Sequence, residues 1–167
     1  KIDRLDGTFD EAGTRFFRVI DYKTGSAEFS YTDLYYGLKL QLPLYLAAVA
    51  AADDAAHRAL PAGFYYLPVK TPVLEEGLSG EALLKEVQKA FRLRGVSLKN
   101  AELLEAGGGP SVAPEKGTGV LGPEDFSAVA EFARRKAAQT AEAVRTGRAE
   151  TAPYRKSKRD TACARCD

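Results

Sequence analysis

The stretch FFRVIDYKTG, residues 16–25, decides how this chain is read. In an extended backbone the period of two places Phe17, Val19, Asp21 and Lys23 on one face. Two apolar residues are thus followed by an acid and a base where a buried sheet would prefer more hydrocarbon. Upstream, KIDRLD at residues 1–6 is also strand-like, and it carries Asp3. Gly7 to Thr14 is a polar, glycine-containing connection, which predicts a hairpin over residues 1–6 and 15–23. That hairpin would bring the carboxylates of Asp3 and Asp21 together from neighbouring strands.

Paired carboxylates beside a lysine suit one chemistry well. Hydrolysis of a phosphodiester at neutral pH needs a metal that neutralises the phosphate and lowers the pKa of a bound water. Magnesium takes hard oxygen ligands, usually one or two carboxylates with water and phosphate completing the octahedron. Asp3 and Asp21 could supply those oxygens, with the backbone carbonyl of Tyr22 as a third, and manganese or calcium could substitute for magnesium. Lys23, two residues beyond Asp21, shares its face and could hold the attacking water or offset charge on the phosphate.

Working outward, residues 33–52 (DLYYGLKLQLPLYLAAVAAA) predict a helix with Asp33 as N-cap and a kink at Pro43. Gln41 and Tyr45, spaced i and i+4, share one face of that helix and could reach the same site. Residues 62–69 predict a third strand ended by Pro68, and residues 79–92 a second helix capped by Ser79. Residues 93–122 form a loop-rich insertion dense in Gly and Pro. A long helix follows over 123–147, opened by Pro123, Glu124 and Asp125 and closed near Arg145 and Arg148. Strand, strand, helix, strand, helix, loop and helix make one small α/β domain spanning 1–167, with 150–167 a basic, cysteine-bearing tail.

The net charge of +1 does not by itself announce a nucleic-acid partner. Its distribution is more informative. Residues 134–159 hold nine Lys and Arg against only Glu142 and Glu150, a stretch suited either to a phosphate backbone or to a solvated helix and tail. The longest apolar run, Leu44 to Ala52, is too short to span a bilayer, so no membrane partner and a cytoplasmic location are expected. Both cysteines, Cys163 and Cys166, form a C-x-x-C pair, which in a cytosolic chain suggests metal or redox chemistry. Two thiolates are half of the usual four-ligand set. With the chain opening inside a strand-like segment and closing just after Cys166, a fragment of a longer protein is expected.

IDRLD, IDYKTG and YYGLKLQLPLYL together resemble the RecB-type branch of the PD-(D/E)XK nucleases. PAGFYYLPV, FRLRGVSL and the ending TAPYRKSKRDTACARCD extend the resemblance to the AddB family of bacterial helicase–nuclease proteins. The resemblance implies a restriction-endonuclease-like core, a small mixed sheet flanked by helices. It makes Asp3 and Asp21 metal ligands, Lys23 the catalytic lysine, and Gln41 and Tyr45 a motif that supports the site and contacts DNA. Cys163 and Cys166 become two ligands of a [4Fe–4S] cluster, incomplete within these 167 residues. The implied function is metal-dependent DNA exonuclease action during recombinational repair of double-strand breaks, on a single strand led through a channel, beside AddA as the helicase–nuclease partner. ATP would be consumed by the motor, because this chain has no G-x-x-x-x-G-K-[ST] motif.

Two other readings stand beside this one: a non-catalytic nuclease-like module that binds DNA or acts as a scaffold, and a CRISPR-associated RecB-like exonuclease. Tyr35, Tyr36, Tyr65 and Tyr66 could stack on bases, but aromatics on a helix and a strand more often belong to the core. His57, the single histidine, suits a surface role near a helix end. Asp6 is expected to pair with Arg4 or cap the hairpin rather than bind metal.

Overall fold

The computed structural model describes residues 1–25, 28–52, 59–70, 72–99, 119–148, 153–157 and 160–165. Five strands form one mixed sheet in the order β1-β2-β3-β4-β5: β1 (Arg4–Phe9), β2 (Arg15–Lys23), β3 (Leu60–Pro68), β4 (Arg94–Leu98) and β5 (Val120–Leu121). The hairpin expected at the N-terminus is present, with β1 antiparallel to β2 from Arg4↔Ile20 to Phe9↔Arg15. Strands β2 and β3 run parallel, with Asp21 beside Tyr66 and Lys23 beside Pro68. Parallel neighbours require a crossover, here made of helices.

The alternation of side chains sorts the core into two faces. Phe17 and Val19 of β2, Phe64 and Tyr66 of β3 and Val96 of β4 pack with Leu34, Leu42, Leu46, Phe126 and Ala133. On the opposite face Ile20 packs with Tyr65 and Leu93. Because β2 is covered on both sides, its buried run reads as nearly continuous hydrocarbon. Asp21 interrupts that run from inside the sheet.

The helices carry several corrections. The unbroken helix expected over 33–52 is two helices, α1 (Tyr31–Tyr35) and α2 (Gln41–Ala52). Ser30 rather than Asp33 caps α1: its hydroxyl oxygen accepts a hydrogen bond from the Asp33 backbone N–H at 3.2 Å. Gly37, with φ of 81°, lets the chain turn between the helices. Pro43 therefore falls in the first turn of α2, where its missing N–H costs nothing, and no kink is needed. Ser79 precedes α3 (Gly80–Ala90) but makes no side-chain cap hydrogen bond. The ends of the segment expected to be loop-rich, 93–122, are strands β4 and β5, and residues 100–118 lie outside the described residues. Helix α4 (Pro123–Arg145) matches the expected long helix and covers α2, β4 and β5.

Among the described residues no helix is long and apolar enough to cross a membrane. Much of the basic stretch is paired within the chain. Arg134 and Arg135 face Glu131, Arg145 faces Glu142, and Lys156 faces Asp33 and Asp160. Its formal charge thus overstates what is free to meet a phosphate backbone. His57 and Cys166 lie outside the described residues.

Candidate metal and nucleic-acid site

At the carboxyl end of β2 the backbone brings Asp3, Asp21, Tyr22 and Lys23 together. Strand β1 starts at Arg4, so Asp3 stands just before it, and continuing the Arg4↔Ile20 register by one residue puts Asp3 opposite Asp21. The Tyr22 backbone N–H donates to Asp3 Oδ2 at 3.0 Å, which ties the exposed Asp3 carboxylate to β2.

Asp21 is only 4% exposed. An ionised carboxylate so enclosed needs compensation. The Gln41 side-chain amide donates from Nε2 to Asp21 Oδ1 at 3.1 Å. Lys23 Nζ stands 2.6 Å from Asp21 Oδ2 as an ion pair. That contact is not aligned as a hydrogen bond, so Oδ2 is sealed from solvent with no hydrogen-bond donor directed at it. A buried carboxylate oxygen in this condition has coordination capacity to spare, and with Asp3 it meets the usual magnesium requirement of one or two carboxylates. Among the described residues no group of three or more His, Cys, Asp and Glu gathers anywhere, so the donor set is a two-carboxylate one completed by other oxygens.

Gln41 sits at the first position of α2, and its amide links three of the expected residues. Its Oε1 accepts from Lys23 Nζ at 3.4 Å, and its Nε2 also donates to Tyr45 Oη at 3.3 Å. The i, i+4 spacing thus does bring Gln41 and Tyr45 to Asp21 and Lys23. All five expected side chains join one cluster, except that Asp3 reaches it through the Tyr22 backbone.

Tyr66 and Lys39 also stand at the site, although no spacing in the sequence ties either to the carboxylates. Tyr66 is buried beside Asp21, and the ammonium groups of Lys23 and Lys39 lie 5.3 and 5.5 Å from its ring centroid. Burial, with added repulsion from Asp21 and Asp33, pushes the Tyr66 phenol up to about 12, so it stays neutral. The parallel register is the missing signal: without it, nothing in the sequence places Tyr66 next to Asp21. Tyr65 and Tyr66 belong to the core, Tyr35 is exposed and stacks on Phe132, and Tyr36 packs against Tyr154. Asp6 is fully engaged elsewhere, by Arg4 at 2.7 Å and Arg18 at 3.1 Å. Cys163 lies exposed in a short 3-10 turn (Ala162–Arg165), far along the chain from this cluster.

The sequence profile of the PD-(D/E)XK nuclease superfamily matches residues 1–167. Among curated proteins, an ATP-dependent helicase/deoxyribonuclease protein of the AddB type from Moorella thermoacetica is 33% identical over 184 aligned residues, covering 99% of this chain and 16% of that protein. The proteins of the same name from Alkaliphilus metalliredigens and Caldanaerobacter subterraneus subsp. tengcongensis are 30% and 32% identical, covering 100% and 99% of this chain and 16% of each relative. The chain therefore spans about a sixth of the length of the curated relatives it matches.

Proposed function

Given that this chain belongs to the PD-(D/E)XK nuclease superfamily, we propose that it is the nuclease domain of a helicase–nuclease protein, hydrolysing phosphodiester bonds at broken DNA ends for recombinational repair. The names of its relatives favour this reading over a CRISPR-associated exonuclease. A DNA substrate, a helicase partner of the AddA type and bacterial cytoplasm as the setting follow from the same names.

The observation that carries the proposal is the divided environment of Asp21. One oxygen is oriented by the Gln41 amide, and the other is enclosed against Lys23 without an aligned donor. Asp3 and Asp21, with the Tyr22 carbonyl, would hold a divalent cation, magnesium in the cell. When bound, that ion neutralises the phosphate and acidifies a water ligand. Gln41 fixes the rotation of the Asp21 carboxylate, and Tyr45 in turn fixes Gln41. Lys23 is donor only, so it orients the oxygen of the attacking water and offsets negative charge developing on the phosphate.

Cys163 and Cys166 would supply two thiolates to a [4Fe–4S] cluster whose other ligands come from elsewhere in the protein. Visible absorbance of the full-length protein tests this, and a colourless preparation holding zinc would overturn it.

For the nuclease itself, the decisive comparison uses the full-length protein with its helicase partner and a labelled linear duplex in Mg²⁺. Asp21→Ala should lower cleavage by about a hundredfold or more while DNA binding persists. Lys23→Ala should still bind Mn²⁺ by calorimetry yet fail to cleave. Normal cleavage by either variant would remove that residue from the assigned role.

A further inference from the structure

Lys39 lies in the turn Tyr36–Leu40 between α1 and α2, two residues before Gln41. It is half-buried, and among the described residues no carboxylate pairs with it. Its ammonium instead lies 5.5 Å from the Tyr66 ring centroid, across from Lys23 at 5.3 Å on the same ring. Lys23 has its own counter-ion in Asp21, 2.6 Å away. Lys39 has only the aromatic face, which attracts a cation weakly compared with a carboxylate.

The turn that presents Lys39 is braced from several sides. Gly37 takes a positive φ of 81°, and the aliphatic stem of Lys136 from α4 lies over it, 3.5 Å from where a Cβ would stand. The Tyr36 hydroxyl donates to the Arg155 carbonyl at 3.0 Å. Tyr66, the surface under the ammonium, is immobilised in the core. A long lysine stem ordinarily loses side-chain entropy when held in one place. Here a cation is held half-buried, without an anion, beside a cluster built to meet a phosphodiester.

Resting on the nuclease reading above, we propose that Lys39 is a substrate-positioning residue that binds a backbone phosphate of the DNA strand next to the one cut at Asp21. The anion completes the pairing that the protein leaves open, and the Tyr66 ring keeps Lys23 and Lys39 on separate sides, one for the reacting phosphate and one for its neighbour. Such a contact is indifferent to base identity.

Three variants of the full-length protein, Lys39→Ala, Lys39→Gln and Lys39→Arg, test this with a fluorescent single-stranded oligonucleotide in Ca²⁺. Lys39→Ala and Lys39→Gln should bind roughly tenfold more weakly at moderate salt. The slope of log affinity against log salt should fall by about 0.7, the value for one phosphate contact on a single strand. Lys39→Arg should restore both quantities, and Mn²⁺ binding should match the parent in all three. An unchanged salt slope in Lys39→Ala, with parental cleavage, would overturn the proposal and leave the nuclease reading intact. Loss of Mn²⁺ binding in both Lys39→Ala and Lys39→Gln would overturn it in favour of a purely structural turn. Failure of the parent protein to bind the oligonucleotide at all would overturn the nuclease reading and this one together.

Discussion

Asp6 and Asp21 are both carboxylates in the N-terminal hairpin, and their surroundings assign them opposite tasks. Burial works against an ionised Asp6, but hydrogen bonds from Arg4 and Arg18 more than offset it and hold the carboxyl below its ordinary value. Two guanidinium groups leave it no coordination capacity. Asp21 instead meets an amide that donates to one oxygen and a flexible ammonium beside the other. A lysine is a mobile point charge and can swing aside or bridge to phosphate, whereas a guanidinium fork fixed on a carboxylate cannot readily do so. Asp6→Asn should therefore leave cleavage intact and cost about 1 kcal/mol of stability at neutral pH. Because the folded pKa is depressed, this stability is present above the unfolded value near 3.8 and is lost as pH falls through the lower folded value. Unfolding midpoints of parent and variant, measured from neutral pH into acid, should converge. A constant gap across that range would show that Asp6 acts through packing rather than through its charge.

At the scale of elements, the strands with period-two signals were legible and the short, glycine-bearing ones were not. In β2 the alternation is long enough to fix which residues face α2 and α4, so the positions of Asp21 and Lys23 followed from spacing. The string Arg94-Gly95-Val96-Ser97-Leu98 resembles a turn in composition, yet β4 pairs antiparallel with β3 from Gly63↔Ser97 to Tyr66↔Arg94. Its glycine is a contact requirement that no local pattern reveals. A Cβ on Gly95 would stand 2.1 Å from the Phe64 carbonyl oxygen and 2.8 Å from Tyr65 Cα. Strand β5, two residues long, exists only through its pairing with β4. The break between α1 and α2 had a signal, since Ser30-x-x-Asp33 is a cap pattern and Gly37 a stop, but the apolar run through residue 52 masked it. Gly95→Ala should cost about 3 kcal/mol by forcing β3 and β4 apart. Tyr66 belongs to β3, so the same variant should weaken Mn²⁺ binding at Asp21 beyond what thermal destabilisation predicts. A parental melting temperature would mean that the strands separate without strain.

Across the whole molecule, the C-terminal segment is tied to the start of the crossover that carries the site. Lys156 pairs with Asp33 of α1 and with Asp160, and these carboxylates raise its pKa. The Tyr36 hydroxyl donates to the Arg155 carbonyl, the Tyr36 and Tyr154 rings lie 5.7 Å apart, and the Ala162 N–H donates to the Tyr154 carbonyl at 3.1 Å. Asp33 also acts on Tyr66, the residue beside Asp21. The segment leading to Cys163 and the nuclease cluster thus share α1 as a common support, a coupling invisible in the sequence because 123 positions separate Lys156 from Asp33. A raised lysine pKa means that this contribution is complete below the unfolded value near 10.5 and is lost only as pH rises through the higher folded one, so it persists at physiological pH. Asp33→Asn, Lys156→Gln and the double variant form a cycle that isolates the pair from the ring and backbone contacts. Amide exchange at Ala162 should speed up by a similar factor in each single variant, and the double variant should be no faster than either. Simple multiplication of the two single effects would show that Asp33 and Lys156 act independently, leaving Tyr36, Tyr154 and the Arg155 carbonyl to hold the segment against α1.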